Sequence, residues 1–220
     1  MFYVIPTPIG NLKDITDRSK EILGSLDILY CENPQRTNLM LKGYGISIDK
    51  LRRYTEHNEE RLIQDIIGEV KLLKNVGIVS DAGMPVISDP GYKLIRELKK
   101  QDIKYEVLPG ASSILPALIY SGLPTDKFIF LGFLSKKESK LINLINQYKG
   151  ITCICFESPY RILKTLNILE KNFPNLKITI AREISKIHED IKSGDINQVY
   201  EYYKKKTSVK GEITMVFYIE

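Results

Sequence analysis

Residues able to do chemistry gather in five short segments. Three are rich in glycine and proline: Thr7-Pro8-Ile9-Gly10-Asn11, the run from Asp81 through Ala82, Gly83, Pro85 and Asp89 to Gly91, and Pro109-Gly110-Ala111-Ser112-Ser113. Glycine lets a backbone come close to a ligand, and proline stiffens the loop around it. The free N–H and C=O groups of such loops can hold an adenosine-sized molecule. A tight turn needs far less than the two Asp, two Gly and two Pro found between residues 81 and 91. The other two segments carry charge of both signs: Glu157-Ser158-Pro159-Tyr160-Arg161, and Arg182-Glu183-Ile184-Ser185-Lys186-Ile187-His188-Glu189-Asp190. There Arg161 and Arg182 can pair with a phosphate or carboxylate, and Lys186 can neutralise a developing alkoxide. Glu157, Glu183 and Glu189 can orient a hydroxyl or Lys186, although a structural salt bridge is the commoner use of each taken alone. Tyr160 suits either a stacking ring or a core position.

Familiar signatures are missing. The chain has no G-x-G-x-x-G, P-loop, H-E-x-x-H or G-x-S-x-G. The three cysteines, Cys31, Cys153 and Cys155, form no C-x-x-C, and only His57 and His188 add imidazoles, so no metal site is expected. Cys153 and Cys155 are expected to diverge to opposite faces of a strand. His57-Asn58 reads as a helix start and His188 as a surface residue.

Those segments need strands to hold them. In the first half, apolar strands are expected at 2–5, 28–31, 76–79 and 105–108, alternating with helices that include a short one at 37–42 and a longer one carrying Leu62, Ile66, Val70 and Leu73. The chemistry-rich loops follow the strands, the doubly wound α/β pattern. In the second half, strands are expected at 128–133, 151–156, 177–181 and 213–219 and helices at 136–147, 162–169 and 197–206, a smaller α+β unit on three or four strands. Gly122, Pro124 and Asp126 mark a boundary region, which divides the chain into units of 1–118 and 119–220. Residues 1–120 hold 16 basic and 16 acidic side chains and residues 121–220 hold 16 and 11, so the formal charge of +5 belongs to the second half. That excess, with the run Lys204 to Lys206, suits an anionic partner such as RNA, or a solvated lysine surface.

Length and composition narrow the class. A chain of 220 residues that is 43% hydrophobic and 27% charged can bury a packed core, which excludes disordered and disulfide-framework readings. No apolar run reaches a membrane span, the N-terminus lacks a signal-peptide pattern, and the cysteine usage suits the cytoplasm.

The segments YVIPTPIGNLKDIT, YTEHNEE, IVSDAGMPVISDPG, LPGASS, SGLPTDKFIFLGFL, CFESPYR, AREISKIHED and VKGE occur in this order along nearly the whole chain. Together they resemble the bacterial small-subunit ribosomal RNA cytidine 2'-O-methyltransferases, members of the tetrapyrrole-methylase-like superfamily. The resemblance implies two α/β domains, a mostly parallel N-terminal sheet and a mixed C-terminal one, with S-adenosylmethionine in the cleft between them and a homodimer as the usual assembly. It implies ribose methylation of a decoding-centre cytidine in 16S ribosomal RNA, within the assembled 30S subunit. Carried onto this chain, the cofactor residues would be Pro8, Gly10, Asp81, Ala82, Gly83, Pro85, Asp89, Gly110, Ala111 and Ser112. Glu157, Glu183 and Lys186 would serve catalysis. Glu32, Arg36, His57, Asn58, Tyr160, Arg161, Arg182 and Glu189 would meet RNA.

Two motifs depart from the family pattern. Where E-D-T-R-x-T is usual, this chain has Glu32-Asn33-Pro34-Gln35-Arg36-Thr37, so an acid and an arginine are replaced by Asn33 and Gln35 and Arg36 stands in a new position. The usual His-Arg after E-S-P is Tyr160-Arg161. Two other readings stand beside the methyltransferase: an RNA- or ribosome-binding protein with weak or no catalysis, which Asn33 and Gln35 favour, and methylation of a small tetrapyrrole-like substrate, which membership of the superfamily implies.

Overall fold

The computed structural model describes residues 1–220, and the chain divides into two compact units, Met1–Ser112 and Ser113–Glu220. The first unit is a five-stranded, wholly parallel sheet. Its strands are β1 (Phe2–Val4), β2 (Ile28–Cys31), β3 (Leu51–Arg53), β4 (Val76–Ile78) and β5 (Tyr105–Val107), in the order β3-β2-β4-β1-β5. Period-two alternation sends neighbouring residues to opposite faces. Phe2, Val4, Ile28 and Tyr30 pack with Leu62, Ile66 and Leu94 of α3 (Glu59–Lys71) and α4 (Tyr92–Lys100). On the other face Leu29 and Cys31 pack with Leu23 of α1 (Asp17–Gly24) and Leu41 of α2 (Pro34–Gly43). Helices on both faces explain why the strands read as continuous apolar runs.

The second unit is a mixed sheet of β6 (Phe128–Phe133), β7 (Thr152–Glu157), β8 (Lys177–Arg182), β9 (Asp190–Asp195) and β10 (Ile213–Tyr218). Its order is β6-β7-β10-β8-β9, with only the β6–β7 pair parallel. One face packs against α6 (Glu138–Gln147), α7 (Ile162–Asn172) and α8 (Ile196–Lys204). The apolar helix α5 (Ile114–Ser121) lies against β10, β8 and β7, and the Thr214 and Ser113 hydroxyls share a hydrogen bond of 3.0 Å. Packing on this sheet assigns α5 to the second unit, so the division falls at 112/113 where the sequence had suggested 118/119.

Three expectations need correction. The second sheet has five strands, because the polar segment Asp-Ile-Lys-Ser-Gly-Asp forms the edge strand β9, held by its six-residue antiparallel register with β8. The segment Leu51–Arg53 is likewise a strand, at the edge of the first sheet. Cys153 and Cys155 share one face and one core, as residues two apart on a strand must. No helix is long and apolar enough to cross a membrane.

Candidate functional site

The three glycine- and proline-rich loops, the third of them as far as Ser112, leave the ends of β4, β1 and β5, which are adjacent in the first sheet. Thr7 and Gly83 exchange backbone hydrogen bonds, both 2.9 Å, and Thr7 Oγ1 donates to the Ser80 carbonyl at 3.1 Å. Gly83 has φ +82°, and a Cβ there would stand 3.3 Å from Ile9 Cγ2 and 3.7 Å from the Ala111 carbonyl. A Cβ on Gly110 would lie 2.8 Å from Pro6. The two glycines thus bring Pro8, Ala82, Gly83 and Ala111 into one patch of mostly covered backbone, while Gly10 and Gly110 stay exposed.

Asp81 lies at this patch. Its Oδ2 pairs with Arg36 Nη1 at 3.5 Å, whereas Oδ1 is buried and has no hydrogen-bond partner. A buried acceptor without a donor is costly, and a hydroxyl, amine or water donor would satisfy it. Burial and the neighbouring Asp81 push the Glu32 carboxyl above its ordinary range, against the opposing pull of Arg36. The departing motif is therefore built into this charge cluster. Asn33 accepts from the Gln35 and Arg36 amides, and Pro34 starts α2. Replacing Asn33 by Ala is expected to lower unfolding free energy by about 1 kcal/mol. Denaturant unfolding checks it, and an unchanged midpoint would remove the cap from the argument.

The segment after Pro85 is strained. Val86 (φ 75°) and Ser88 (φ 62°) occupy the left-handed region, which a β-branched residue rarely enters, and Gly91 (φ 132°) leaves room for Val86, whose Cγ2 would stand 2.8 Å from an added Cβ. Glu59, only 4% exposed, holds the far end by accepting from the Gly91 amide at 2.9 Å and the Tyr54 hydroxyl at 3.0 Å. Burial and the adjacent carboxylate push the Tyr54 phenol well above its ordinary pKa. Sequence pattern singles out His57 and Asn58 but passes over Glu59. His57 is exposed, and Asn58 closes its own loop through Thr55 and the Arg53 carbonyl. Asp89 and Ser112 lie partly exposed in their loops.

In the second unit, antiparallel register sets both Glu157 and Arg182 opposite Ile213, so the segments after β7 and β8 share one sheet end with the residues before β10. Glu157 has no exposed side-chain surface. It accepts from the Ser158 amide (2.7 Å) and Thr165 Oγ1 (2.6 Å), and pairs with Arg161 at 3.4 Å. Arg161 also donates to the Leu134 carbonyl at 2.9 Å. Tyr160 is 95% exposed, so the stacking-ring reading survives and the core reading does not.

Arg182 is largely engaged internally, donating to the Lys210 and His188 carbonyls, each at 3.1 Å, and lying 3.5 Å from Asp190. Glu189 accepts from the Ser185 amide at 2.7 Å and approaches the Tyr120 hydroxyl, rather than orienting Lys186. Lys186 instead lies between Glu183 Oε1 (2.7 Å) and Glu212 Oε2 (3.0 Å). Glu183 takes a left-handed backbone, φ 54°, and its Oε1 also accepts from the Glu212 amide at 2.8 Å.

Both Glu183 and Asp190 titrate below the ordinary carboxylate range. Burial pushes each upward but is outweighed, for Glu183 by Lys186 and the Glu212 amide and for Asp190 by Lys206 and Tyr202. A folded pKa below the unfolded one stabilises above the unfolded value, about 4, and that stability is lost as pH falls through the folded value. Thermal midpoints are therefore expected to fall less steeply as pH drops below about 4 for Glu183→Gln than for the unaltered protein. Equal slopes would show that the Glu183 contacts do not persist in solution.

The family model described as Tetrapyrrole (Corrin/Porphyrin) Methylases matches residues 1–200. The chain belongs to this family. It is 45% identical over 216 residues to a Hydrogenobaculum protein named ribosomal RNA small subunit methyltransferase I, covering 97% of this chain and 94% of that one. Two solved structures share the fold. A cobalt precorrin-4 methyltransferase of cobalamin biosynthesis matches with TM-score 0.71 at 14% identity, over 98% of this chain and 93% of the other. A Thermus thermophilus uroporphyrin-III C-methyl transferase, solved with S-adenyl homocysteine, matches with TM-score 0.65 at 15% identity, over 98% and 96%.

Proposed function

We propose that the protein is an S-adenosylmethionine-dependent methyltransferase of 16S ribosomal RNA that modifies the ribose 2'-oxygen of a decoding-centre cytidine. The observation that carries this reading is the near-full-length 45% identity to a protein named for small-subunit ribosomal RNA methylation. The site chemistry supports it. Asp81 Oδ1, a buried acceptor in need of a donor, fits the hydroxyl and amine groups of S-adenosylmethionine, and the Gly83 and Gly110 loops fit a ligand held by backbone. Pro8, Gly10, Ala82, Pro85, Asp89, Ala111 and Ser112 complete the proposed cofactor residues. When bound, the cofactor supplies an electrophilic sulfonium methyl group.

The chain's own contribution is alignment and electrostatics. Lys186 has three N–H donors, and Glu183 and Glu212 take two of them. The third suits the ribose oxygen as it gains negative charge. Glu183, held below the ordinary carboxylate range, is a poor proton acceptor, so its role is to hold Lys186 while the hydroxyl proton passes to water. Glu157, with its side chain fully covered, acts through Arg161 rather than on the ribose. Arg161 retains N–H groups for a phosphate, and exposed Tyr160 suits a splayed base. Glu32, Arg36, His57, Asn58, Arg182 and Glu189 are proposed on the RNA side, Arg182 and Asn58 by holding loops in place.

We place the reaction in the cytoplasm, on the assembled 30S subunit, with a homodimer as the working form. The test is transfer of radiolabelled methyl from S-adenosylmethionine to small subunits from a strain lacking the corresponding methyltransferase, followed by nucleotide mapping. Label on one cytidine ribose supports the reading, and stronger labelling of subunits than of free 16S RNA supports the assembled substrate. Cofactor binding without RNA labelling would overturn it in favour of a binding role or another substrate.

A further inference from the structure

The residues Val209-Lys210-Gly211-Glu212 precede β10 and stand outside the three residues to which catalysis was assigned. Glu183 and Glu212 are joined reciprocally: the Glu183 amide donates to the Glu212 carbonyl at 2.9 Å, and the Glu212 amide donates to Glu183 Oε1 at 2.8 Å. The Glu183 carboxylate reaches that amide by lying directly over Gly211. A Cβ on Gly211 would overlap the Cδ and Oε1 atoms of the Glu183 side chain, and the glycine has φ +92°. Only glycine meets both demands. From the same turn Glu212 Oε2 reaches Lys186 Nζ at 3.0 Å, opposite the 2.7 Å contact from Glu183 Oε1.

We propose that Gly211 and Glu212 are positioning residues for methyl transfer: the glycine seats the Glu183 carboxylate, and the two glutamates fix the Lys186 ammonium with one N–H free for the reacting oxygen. This rests on the reading of Lys186 given above. A purely structural role makes a different forecast. The Glu212 side chain is 58% exposed, and an exposed ion pair contributes little to stability. If Glu212 only decorates the surface, removing it changes neither stability nor turnover.

Two readouts separate these cases. In the first, Lys186 is followed by reductive methylation of the intact protein and peptide mass spectrometry, which needs no activity. Its labelling rate is expected to rise about 3-fold or more in Glu212→Ala, consistent with loss of one of two ammonium partners. The second is turnover on the small subunit. Glu212→Ala is expected to lower kcat about 10-fold, and Gly211→Ala about 100-fold, as displacement of a catalytic group by an ångström can do. KM for S-adenosylmethionine and the thermal midpoint of Glu212→Ala stay unchanged, and Glu212→Gln, which keeps an acceptor oxygen, recovers part of the loss. Because alanine is strained at the Gly211 backbone, the Glu212 variants decide the matter if Gly211→Ala does not fold.

Unchanged kcat in Glu212→Ala, alongside a strong loss in Lys186→Ala, overturns the positioning role and leaves the Lys186 reading standing. Unchanged kcat in Lys186→Ala overturns both. An unaltered protein that labels no ribosomal RNA removes the methylation reading itself, and a Lys186 labelling rate indifferent to Glu212 would then remove the clamp as well.

Discussion

Lys186→Ala is expected to lower turnover on the small subunit about 100- to 1,000-fold, the usual cost of deleting one preorganised donor at a developing oxyanion. KM for S-adenosylmethionine is expected to stay within a factor of about 3, since the proposed cofactor contacts come from other loops. Stability is expected to fall as well, because the largely covered Glu183 loses the ammonium that offsets its burial and keeps only the Glu212 amide as a donor, so turnover is measured on folded protein. Lys186→Arg is not a neutral replacement: a planar guanidinium in a slot shaped for a tetrahedral ammonium moves both glutamates. Single-turnover rates with saturating cofactor give the measurement. A rate within threefold of the unaltered protein would exclude Lys186 from the chemistry and return its ion pairs to a structural role.

Asp81→Ala should weaken S-adenosylmethionine binding about 10- to 100-fold in calorimetry. That range follows from about 1.5–3 kcal/mol for a hydrogen bond to a charged group, each 1.4 kcal/mol being tenfold in affinity. The confounding contact is the 3.5 Å pair with Arg36, which the same substitution removes. Arg36→Ala breaks the pair while leaving Oδ1 in place, and is expected to change affinity less than about threefold because the arginine is half exposed. If both variants weaken binding alike, Asp81 acts by orienting the loop through Arg36, and the buried oxygen does not touch the ligand.

Local pattern made most of the fold legible. Apolar runs marked β2 and β6 to the residue, and the helices around them differ from the expected ranges by a few terminal positions. Helix starts are legible from caps: Asn33 followed by Pro34 is a cap and first turn, which sets the start of α2 three residues before the apolar pattern that begins at 37. The strands that escaped were the polar ones. Nothing in Asp190–Asp195 alternates in hydropathy, and its identity comes from pairing with β8, a partner some dozen residues away. The site divides in the same way. Glycine and proline density exposed the three loops, and charged residues after strands exposed Glu157, Glu183 and Lys186. Glu59 and Glu212 stand inside the quoted segments YTEHNEE and VKGE, but their roles are not legible there because their partners, Gly91 and Lys186, lie 32 and 26 residues distant, and only the folded chain joins them. The one available hint was a glycine next to a glutamate ahead of a strand.

Placement of β1 and β10 has a consequence for the birth of the protein. Strand β1 precedes both of its sheet neighbours, β4 and β5, along the chain, and β10 follows both of its own, β7 and β8. On a translating ribosome, Phe2–Val4 must wait for Val76–Ile78 before it gains a neighbour, but all the strands of its sheet have been made by residue 107. The second sheet has the opposite history. Until residues 213–218 arrive, β7 and β8 face each other across a gap one strand wide, with two open edges that invite wrong partners. The segment carrying Gly211 and Glu212 is made only just before that gap is filled, so the clamp on Lys186 and the closure of the sheet arrive together. A nascent chain stalled before residue 213 would carry the three glycine- and proline-rich loops proposed for the cofactor in finished form, but not the turn that holds Lys186.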